Sequence, residues 1–176
     1  AAYTNTTGSS LVAMGHTALR QNSTGSSNVA SGYAAMYSNT TGSSNTGLGH
    51  NALHLNTTAD NNTAVGALAA YSNAMRDNTE GFENSAFGMV ALLENTTGDY
   101  NTALGTRALQ NATTADANTA VGRSALVSNT TGSGNVASGY LSMENNTTGS
   151  NNVALGRQSL DQNTTASNNT AVGYQS

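Results

Sequence analysis

The sequence predicts an all-β fold, a parallel β-solenoid of about ten coils, and three observations support this prediction. A glycine that closes a short phrase such as "NTAVG" recurs at a fixed period, that period is long enough for two short strands and two turns, and asparagine holds fixed places between the glycines. Eight of the nine intervals between successive glycines are 17 residues and one is 22. The glycines are Gly15, Gly32, Gly49, Gly66, Gly88, Gly105, Gly122, Gly139, Gly156 and Gly173.

Each period has the form N-[TV]-A-x-G-x-x-[AS]-[LM]-x-x-N-T-T-[GA]-x-x. We number its residues as positions 1 to 17, with the recurring glycine at position 5, and number the coils by these glycines. Residues 1–176 then form a single repeat array with a five-residue insertion within 67–87. The chain starts and ends at position 8 without an atypical capping repeat, which indicates a fragment of a longer fibre.

Seventeen residues fit one coil of a narrow solenoid, because Gly, Asn and Thr in every period disfavour a helix. "NTAVG" is predicted as a first strand and "ALxxNTT" as a second, with alternate residues pointing inward. Positions 4 and 9 are the predicted core columns, and Ser31 and Ser138 interrupt position 4 within identical "NVASGY" phrases. The predicted core residues are Met14, Leu48, Val65, Phe87, Leu104, Val121, Leu155 and Val172 at position 4, and Leu19, Met36, Leu53, Leu92, Leu109, Leu126, Met143 and Leu160 at position 9.

The recurring asparagines predict hydrogen-bonded ladders, since identical side chains stack coil on coil at about 4.8 Å. One ladder is at position 1 and a second is at position 12. Position 1 contains Asn28, Asn45, Asn62, Asn84, Asn101, Asn118, Asn135, Asn152 and Asn169, and position 12 contains Asn39, Asn56, Asn129, Asn146 and Asn163.

The composition excludes several classes of protein. The 176 residues include no Cys, Pro or Trp, only 8% are charged, and the net charge is −4 with five Lys plus Arg. So few basic residues argue against a nucleic-acid partner. Neither a membrane-spanning apolar run nor a signal peptide is recognisable, so we expect no membrane insertion.

Two large apolar residues in each coil are few for a stable single chain, so we expect a homo-oligomer, a trimer about a long axis. Small residues at position 8 form a smooth strip on which another chain is predicted to pack. That strip contains Ala18, Ala35, Ala52, Ala69, Ala91, Ala108, Ala125, Ser142 and Ser159.

The phrases "NTAVG", "NVALG" and "NTALG" at fixed spacing resemble the "SVAIG"-type head repeats of trimeric autotransporter adhesins, which form trimeric left-handed parallel β-rolls. The longer phrase "NTAVGxxALxxNTTGxxN" is still more similar to repeats of bacteriophage tail-fibre proteins. The chain departs from the adhesin pattern in its longer period and in its Asn-Thr in place of Ser-Val. The resemblance implies a fibrous virion or cell-surface protein used for attachment, without catalytic residues.

Two features exceed what the repeat needs and are candidate receptor-binding elements. The first is the insertion "NAMRDNTEGFEN", from Asn73 to Asn84, which could equally be a tolerated insertion. The second is a pair of columns of Tyr, His and Arg at positions 6 and 10, which could contact a host surface glycan or protein receptor, or cover the seam between chains. The candidate residues are Tyr33, Tyr37, His50, His54, Tyr71, Arg76 and Phe82.

No residue set suggests catalysis, a metal site or a cofactor, so we expect a protein that is not an enzyme. His50 and His54 lack a third ligand close in sequence, and Asp99 and Asp116, a pair of acids in one column of neighbouring coils, have nothing around them suited to acid–base work. A polysaccharide-cleaving solenoid is therefore disfavoured. An ice-binding solenoid, suggested by recurring threonine, and a bacterial trimeric autotransporter adhesin head are the alternatives to a phage tail fibre.

Overall fold

The computed structural model describes residues 2–66 and 81–176, which form β-strands and turns without a helix. Each described coil has one three-residue strand, and the strands form one parallel sheet in chain order. The predicted β-solenoid is thus confirmed. The strands are β1 (Val12–Met14), β2 (Val29–Ser31), β3 (Thr46–Leu48), β4 (Thr63–Val65), β5 (Ser85–Phe87), β6 (Thr102–Leu104), β7 (Thr119–Val121), β8 (Val136–Ser138), β9 (Val153–Leu155) and β10 (Thr170–Val172).

The pairing register of the sheet follows the sequence period, so residues at the same position lie beside one another in neighbouring coils. This register continues across the insertion, where Thr63 pairs with Ser85 and Val65 pairs with Phe87 over a sequence separation of 22 residues. The five extra residues therefore leave the register of the described strands unchanged.

The segment predicted as a second strand is not a strand. In the seventh coil Ser124 and Leu126 have φ angles of 58° and 52°, and positions 7 and 9 are left-handed in the other described coils too. Coil-to-coil hydrogen bonding nevertheless continues here: Leu126 N–H donates to the Ser142 carbonyl at 3.0 Å, and Ser128 N–H donates to the Glu144 carbonyl at 3.3 Å. Alternating left-handed residues thus replace the extended backbone that the pattern suggested.

The core consists of positions 3, 8 and 9, which in the seventh coil are the fully buried Ala120, Ala125 and Leu126. The prediction for position 9 is confirmed, but that for position 4 is wrong. Leu104 is 49% exposed and Val172 is 67% exposed, and no described member of the column is fully buried. The misplaced residues are Met14, Leu48, Val65, Phe87, Leu104, Val121, Leu155 and Val172.

The pleat of the strand explains this correction. The side chains at positions 2 and 4 point to the opposite side of the strand from the side chain at position 3. Either position 3 or the pair of positions 2 and 4 can therefore face the interior, but not both. The interior has no room for a second large side chain: a Cβ added to Gly47, at position 3, would lie 2.9 Å from Cγ of Met36. Alanine therefore faces inward and the larger residues face outward.

The position-1 asparagines form the predicted ladder, and all of them except the half-buried Asn169 are almost completely buried. Asn118 Oδ1 accepts the backbone N–H of Asn135 at 2.9 Å, while Asn118 Nδ2 donates to the Gly132 carbonyl at 3.0 Å. The bonds are therefore mainly between side chain and backbone. The same oxygen-to-N–H bond joins successive members of the series Asn28, Asn45, Asn62, Asn84, Asn101, Asn118, Asn135, Asn152 and Asn169.

The position-12 asparagines form the second predicted ladder, in which amide bonds directly to amide. Nδ2 of Asn39 donates to Oδ1 of Asn22 at 2.8 Å, and Nδ2 of Asn146 donates to Oδ1 of Asn129 at 2.9 Å. Each amide also donates to the carbonyl three residues later in its own coil, as Asn39 does to Gly42 at 2.9 Å. Each position-12 side chain therefore stabilises both a turn of its own coil and the contact with a neighbouring coil.

The position-5 glycine makes the corner after each strand. Gly122 has a φ of 130°, and a Cβ added to it would lie 2.5 Å from the carbonyl oxygen of Gly139 in the next coil. Both the backbone angle and the close approach of the coils require glycine at this position.

Candidate functional site

The outward side of the ten strands is a continuous, largely apolar surface, which we call the apolar face. It consists of positions 2 and 4: position 2 has four Val, five Thr and one Ser, and position 4 is apolar in eight coils and Ser in the other two. Water-exposed apolar residues in one contiguous array mark an interaction surface more often than scattered ones do. The most exposed members are Val12, Met14, Phe87, Leu104, Val136, Leu155 and Val172.

The strip that the sequence assigned to chain packing lies inside the coil. Its described members at position 8 are fully buried, so no second chain can reach them. The predicted roles of positions 4 and 8 are therefore exchanged: the small residues fill the core and the larger ones face outward. The buried residues are Ala18, Ala35, Ala52, Ala91, Ala108, Ala125, Ser142 and Ser159; Ala69 lies outside the described residues.

Beyond the glycine corner lies the position-6 column, which in the first three coils contains His16, Tyr33 and His50. The Tyr33 ring is stacked between the two imidazoles, with centroid distances of 5.4 Å to His16 and 5.2 Å to His50. All three residues are exposed. Because both faces of the tyrosine ring are covered, the column presents ring edges and polar atoms to solvent.

The position-10 column is parallel to it in the same coils. The rings of Tyr37 and His54 stack at 5.3 Å, the Arg20 guanidinium lies 5.8 Å from the Tyr37 centroid, and Nδ1 of His54 is 3.1 Å from the Ala34 carbonyl. Tyr37 and His54 are only half-buried, so this column is less accessible than position 6.

A cleft of about 230 Å³ opens between the two columns and is lined by Tyr3, His16, Thr17 and Arg20.

In the last four coils the position-6 column alternates between arginine and tyrosine. The guanidinium groups of Arg123 and Arg157 lie 5.6 Å and 5.7 Å from the Tyr140 centroid, one from each neighbouring coil. Arg157 also lies 5.2 Å from the Tyr174 centroid and donates to its hydroxyl at 3.0 Å. All four side chains are exposed.

The candidate residues near the insertion are only partly described. Phe82 is half-buried and meets Tyr100 edge to face, with ring centroids 5.5 Å apart. Tyr71 and Arg76 lie outside the described residues. The structure thus brings Tyr33 together with His50, and Tyr37 with His54, while Phe82 contacts neither pair.

A third ladder, at position 16, escaped the sequence analysis. The side-chain oxygen of Ser or Asp there accepts the backbone N–H of position 16 in the preceding coil: Asp116 Oδ1 accepts from Asp99 at 2.9 Å, and Asp99 Oδ1 accepts from Phe82 at 3.0 Å. Ser26 and Ser43 make the same contact at 3.1 Å. The recurrence of Ser or Asp at one position was the available signal. This pair of acids therefore serves the backbone and is not arranged for acid–base catalysis.

The described residues contain no group of three side chains that could hold a metal ion, and no helix in them is long and apolar enough to cross a bilayer.

The Asn-x-Ser/Thr sequons at position 12 belong to the buried amide ladder, which disfavours their glycosylation; the fully buried ones include Asn39, Asn56 and Asn129. No protein-family model, curated protein or solved structure matches the chain.

Proposed function

We propose that the chain is a structural segment of an adhesive fibre, a phage tail fibre or a similar surface appendage, and that three copies assemble about a common long axis. The observation that carries this proposal is the apolar face, which runs along all ten strands. A fibre of this kind supports attachment to a host cell surface from the virion or the cell exterior.

A second copy of the chain is the partner that best matches the apolar face. Any partner must present apolar groups at the spacing of the coils, and an identical solenoid has that spacing along its whole length. The face also lacks Asp, Glu and Arg at positions 2 and 4 in every coil, so copies can pack without burying a charge. Its β-branched residues are stiff at χ1, which lowers the entropy lost on association.

The mechanical role follows from the direction of the hydrogen bonds. The sheet, the asparagine ladders and the position-16 ladder all bond coil to coil, along the axis of the solenoid. Such a rod resists extension because many bonds share an axial load. Exposed Tyr, His and Arg columns then supply the side chains for adhesion.

The molar mass in solution tests this assembly. We expect light scattering after size exclusion to give three times 17.7 kDa for the chain, and a smaller species for Leu104→Glu, which places a charge on the apolar face. Thr114→Glu, at an exposed position away from the strands, is the matched control and should remain trimeric. A folded monomer of the unmodified chain at all concentrations would contradict the proposal.

Cross-linking tests the surface directly, because the chain has no cysteine of its own. In a parallel trimer about one axis, equivalent residues of the three copies lie at the same height. Leu104→Cys should therefore form disulfide-linked dimers under mild oxidation, whereas Thr114→Cys should not. Equal cross-linking at both positions would argue against the apolar face as the interface.

Ice binding is a second candidate function, supported by the outward threonine at position 14. Thr24, Thr41, Thr131 and Thr148 are exposed at this position, and they recur at the coil spacing. The acids at the neighbouring position 16 and the width of a single column weaken this candidate. Inhibition of ice recrystallisation by the chain, lost on Thr131→Lys, would favour it over the fibre.

A further inference from the structure

Two of the four described arginines, Arg123 and Arg157, lie in the position-6 column beside the glycine corner. The described arginines are Arg20, Arg107, Arg123 and Arg157, at positions 10, 7, 6 and 6, whereas position 6 holds no acid in any coil. The acids of the described coils lie at positions 10, 11, 16 and 17. On a chain of net charge −4, the position-6 column is therefore the part of the surface best suited to an anion.

The contacts of Arg123 and Arg157 leave their charges available. In the described chain their guanidinium groups contact tyrosines: Arg123 Nη1 donates to the Tyr140 hydroxyl at 3.3 Å, and Arg157 Nη1 to the Tyr174 hydroxyl at 3.0 Å. A guanidinium has five N–H donors, so several remain for a ligand. The tyrosines hold the long arginine side chains in place without neutralising them.

The same contacts exclude the usual way in which proteins bind neutral sugars, stacking on an aromatic face. Both faces of the Tyr140 ring are covered by guanidinium groups, at 5.6 Å and 5.7 Å from its centroid. What remains exposed is an edge of N–H and O–H groups carrying positive charge. Such an edge selects a ligand with anionic oxygens, through charge-assisted hydrogen bonds.

The distance between the two arginines along the axis can be compared with the distance between charges in an acidic polysaccharide and in a nucleic acid. Arg123 and Arg157 are two coils apart, or about 10 Å along the axis. A disaccharide of extended pyranose sugars has about this length, whereas a nucleic-acid strand, with a phosphate about every 3.4 Å along its axis, would leave about two of every three phosphates without an arginine. A nucleic acid would also need a denser cluster of basic residues than this chain has.

We propose that the column Arg123–Tyr140–Arg157–Tyr174 binds a linear acidic polysaccharide with one carboxylate or sulfate per disaccharide, lying along the solenoid axis. The inference deepens the proposed adhesive function and rests on it for its biological role. The identical "NVASGY" phrases place Tyr33 in the same setting as Tyr140, between nitrogen-containing rings in the neighbouring coils. The chain thus repeats this arrangement of a tyrosine between two basic side chains.

Calorimetric titration tests the site, with an octasaccharide of alternating glucuronate and N-acetylglucosamine as the probe. We expect binding that weakens as salt is raised, and that falls about tenfold for either Arg123→Gln or Arg157→Gln, the loss expected for a charge-assisted hydrogen bond. Arg107→Gln, whose arginine instead bonds to Gln110, is the matched control and should bind within about twofold of the unmodified chain. Arg123→Lys keeps the charge and should lose less affinity than Arg123→Gln.

The inference would be overturned by no binding of the octasaccharide, by equal binding of a neutral chitin octasaccharide, or by equal binding of a single-stranded DNA of similar length. An equal loss for Arg107→Gln would overturn it too. The molar mass and melting midpoint of each variant are measured in the same samples. For the unmodified chain, a trimer that does not bind the octasaccharide refutes the polysaccharide site alone, and a monomer that does bind it refutes the trimeric fibre alone.

Discussion

Replacing Asn118 by alanine should destabilise the solenoid more than the same substitution at Asn129, although both side chains are fully buried. In the position-1 ladder, Asn118 Oδ1 is the acceptor for the backbone N–H of Asn135. Alanine would leave that N–H in a dry interior without its partner. The Gly132 carbonyl would lose one of two donors but keep the other, since Asn129 Nδ2 also donates to it at 2.8 Å.

The magnitudes follow from these contacts. A buried donor without a partner costs about 1–3 kcal/mol, and the cavity left by the amide adds to this, so we expect about 3–4 kcal/mol for Asn118→Ala. Asn129→Ala leaves no backbone group unpaired, because Asn118 still donates to Gly132 and Asn146 still donates to the Gly149 carbonyl at 3.0 Å. We expect about 1–2 kcal/mol for that variant.

Two measurements are needed because a repeat array can lose coils separately. Urea unfolding gives the overall change in stability, and hydrogen exchange reports on single amides. Exchange at Asn135 should accelerate in Asn118→Ala and stay close to that of the unmodified chain in Asn129→Ala. Equal destabilisation by both substitutions, with unchanged exchange at Asn135, would show that the position-1 amide does not support the backbone as described.

Three further predictions concern the coil itself and are checked by the same urea unfolding. Leu109→Ala, in the core, should cost about 2–5 kcal/mol, whereas Leu104→Ala, on the apolar face of the same coil, should cost under about 1 kcal/mol at protein concentrations where the chain is monomeric. Gly122→Ala should cost about 3 kcal/mol or more from its φ and its contact with the next coil. Gly132→Ala also brings a Cβ against the Gly149 carbonyl oxygen, but it should cost less, because Gly132 has no left-handed φ and other coils have alanine at that position. Ala117→Gly should stabilise by about 0.5 kcal/mol, because the left-handed φ of 55° strains alanine. A reversed order within either pair, or a loss of stability in Ala117→Gly, would contradict the corresponding assignment.

The sequence period was sufficient to predict the solenoid, because a strict repeat forces equivalent residues into columns. The register across the insertion and both asparagine ladders follow from the same reasoning. Asn62 and Asn84, for example, are 22 residues apart in sequence but adjacent in the ladder, joined at 3.1 Å. Identical amides can bond to one another along a column only when the coils are stacked in parallel and in register.

The period alone could not decide which side of each strand faces inward. Assigning the larger residue, such as Leu104, to the core is the usual choice, but in a coil this narrow Leu109 already fills the interior. The second strand was predicted for a related reason, since its residues alternate as a strand does. Left-handed angles at non-glycine residues, such as 50° at Leu109, leave no signal in the composition.

The internal repeat also separates structural positions from functional ones without any comparison with other proteins. Position 5 is glycine in all ten coils because the corner admits nothing else. Position 6, the next residue, is exposed in the described coils except at the half-buried Thr106, and it contains His, Tyr, Met, Thr and Arg there, so the coil does not dictate its identity. Yet tyrosine lies between two basic side chains there twice, around Tyr33 and around Tyr140. The fold neither requires this pattern nor fixes the residue at position 6. The pattern is therefore the strongest indication in the chain of a binding function.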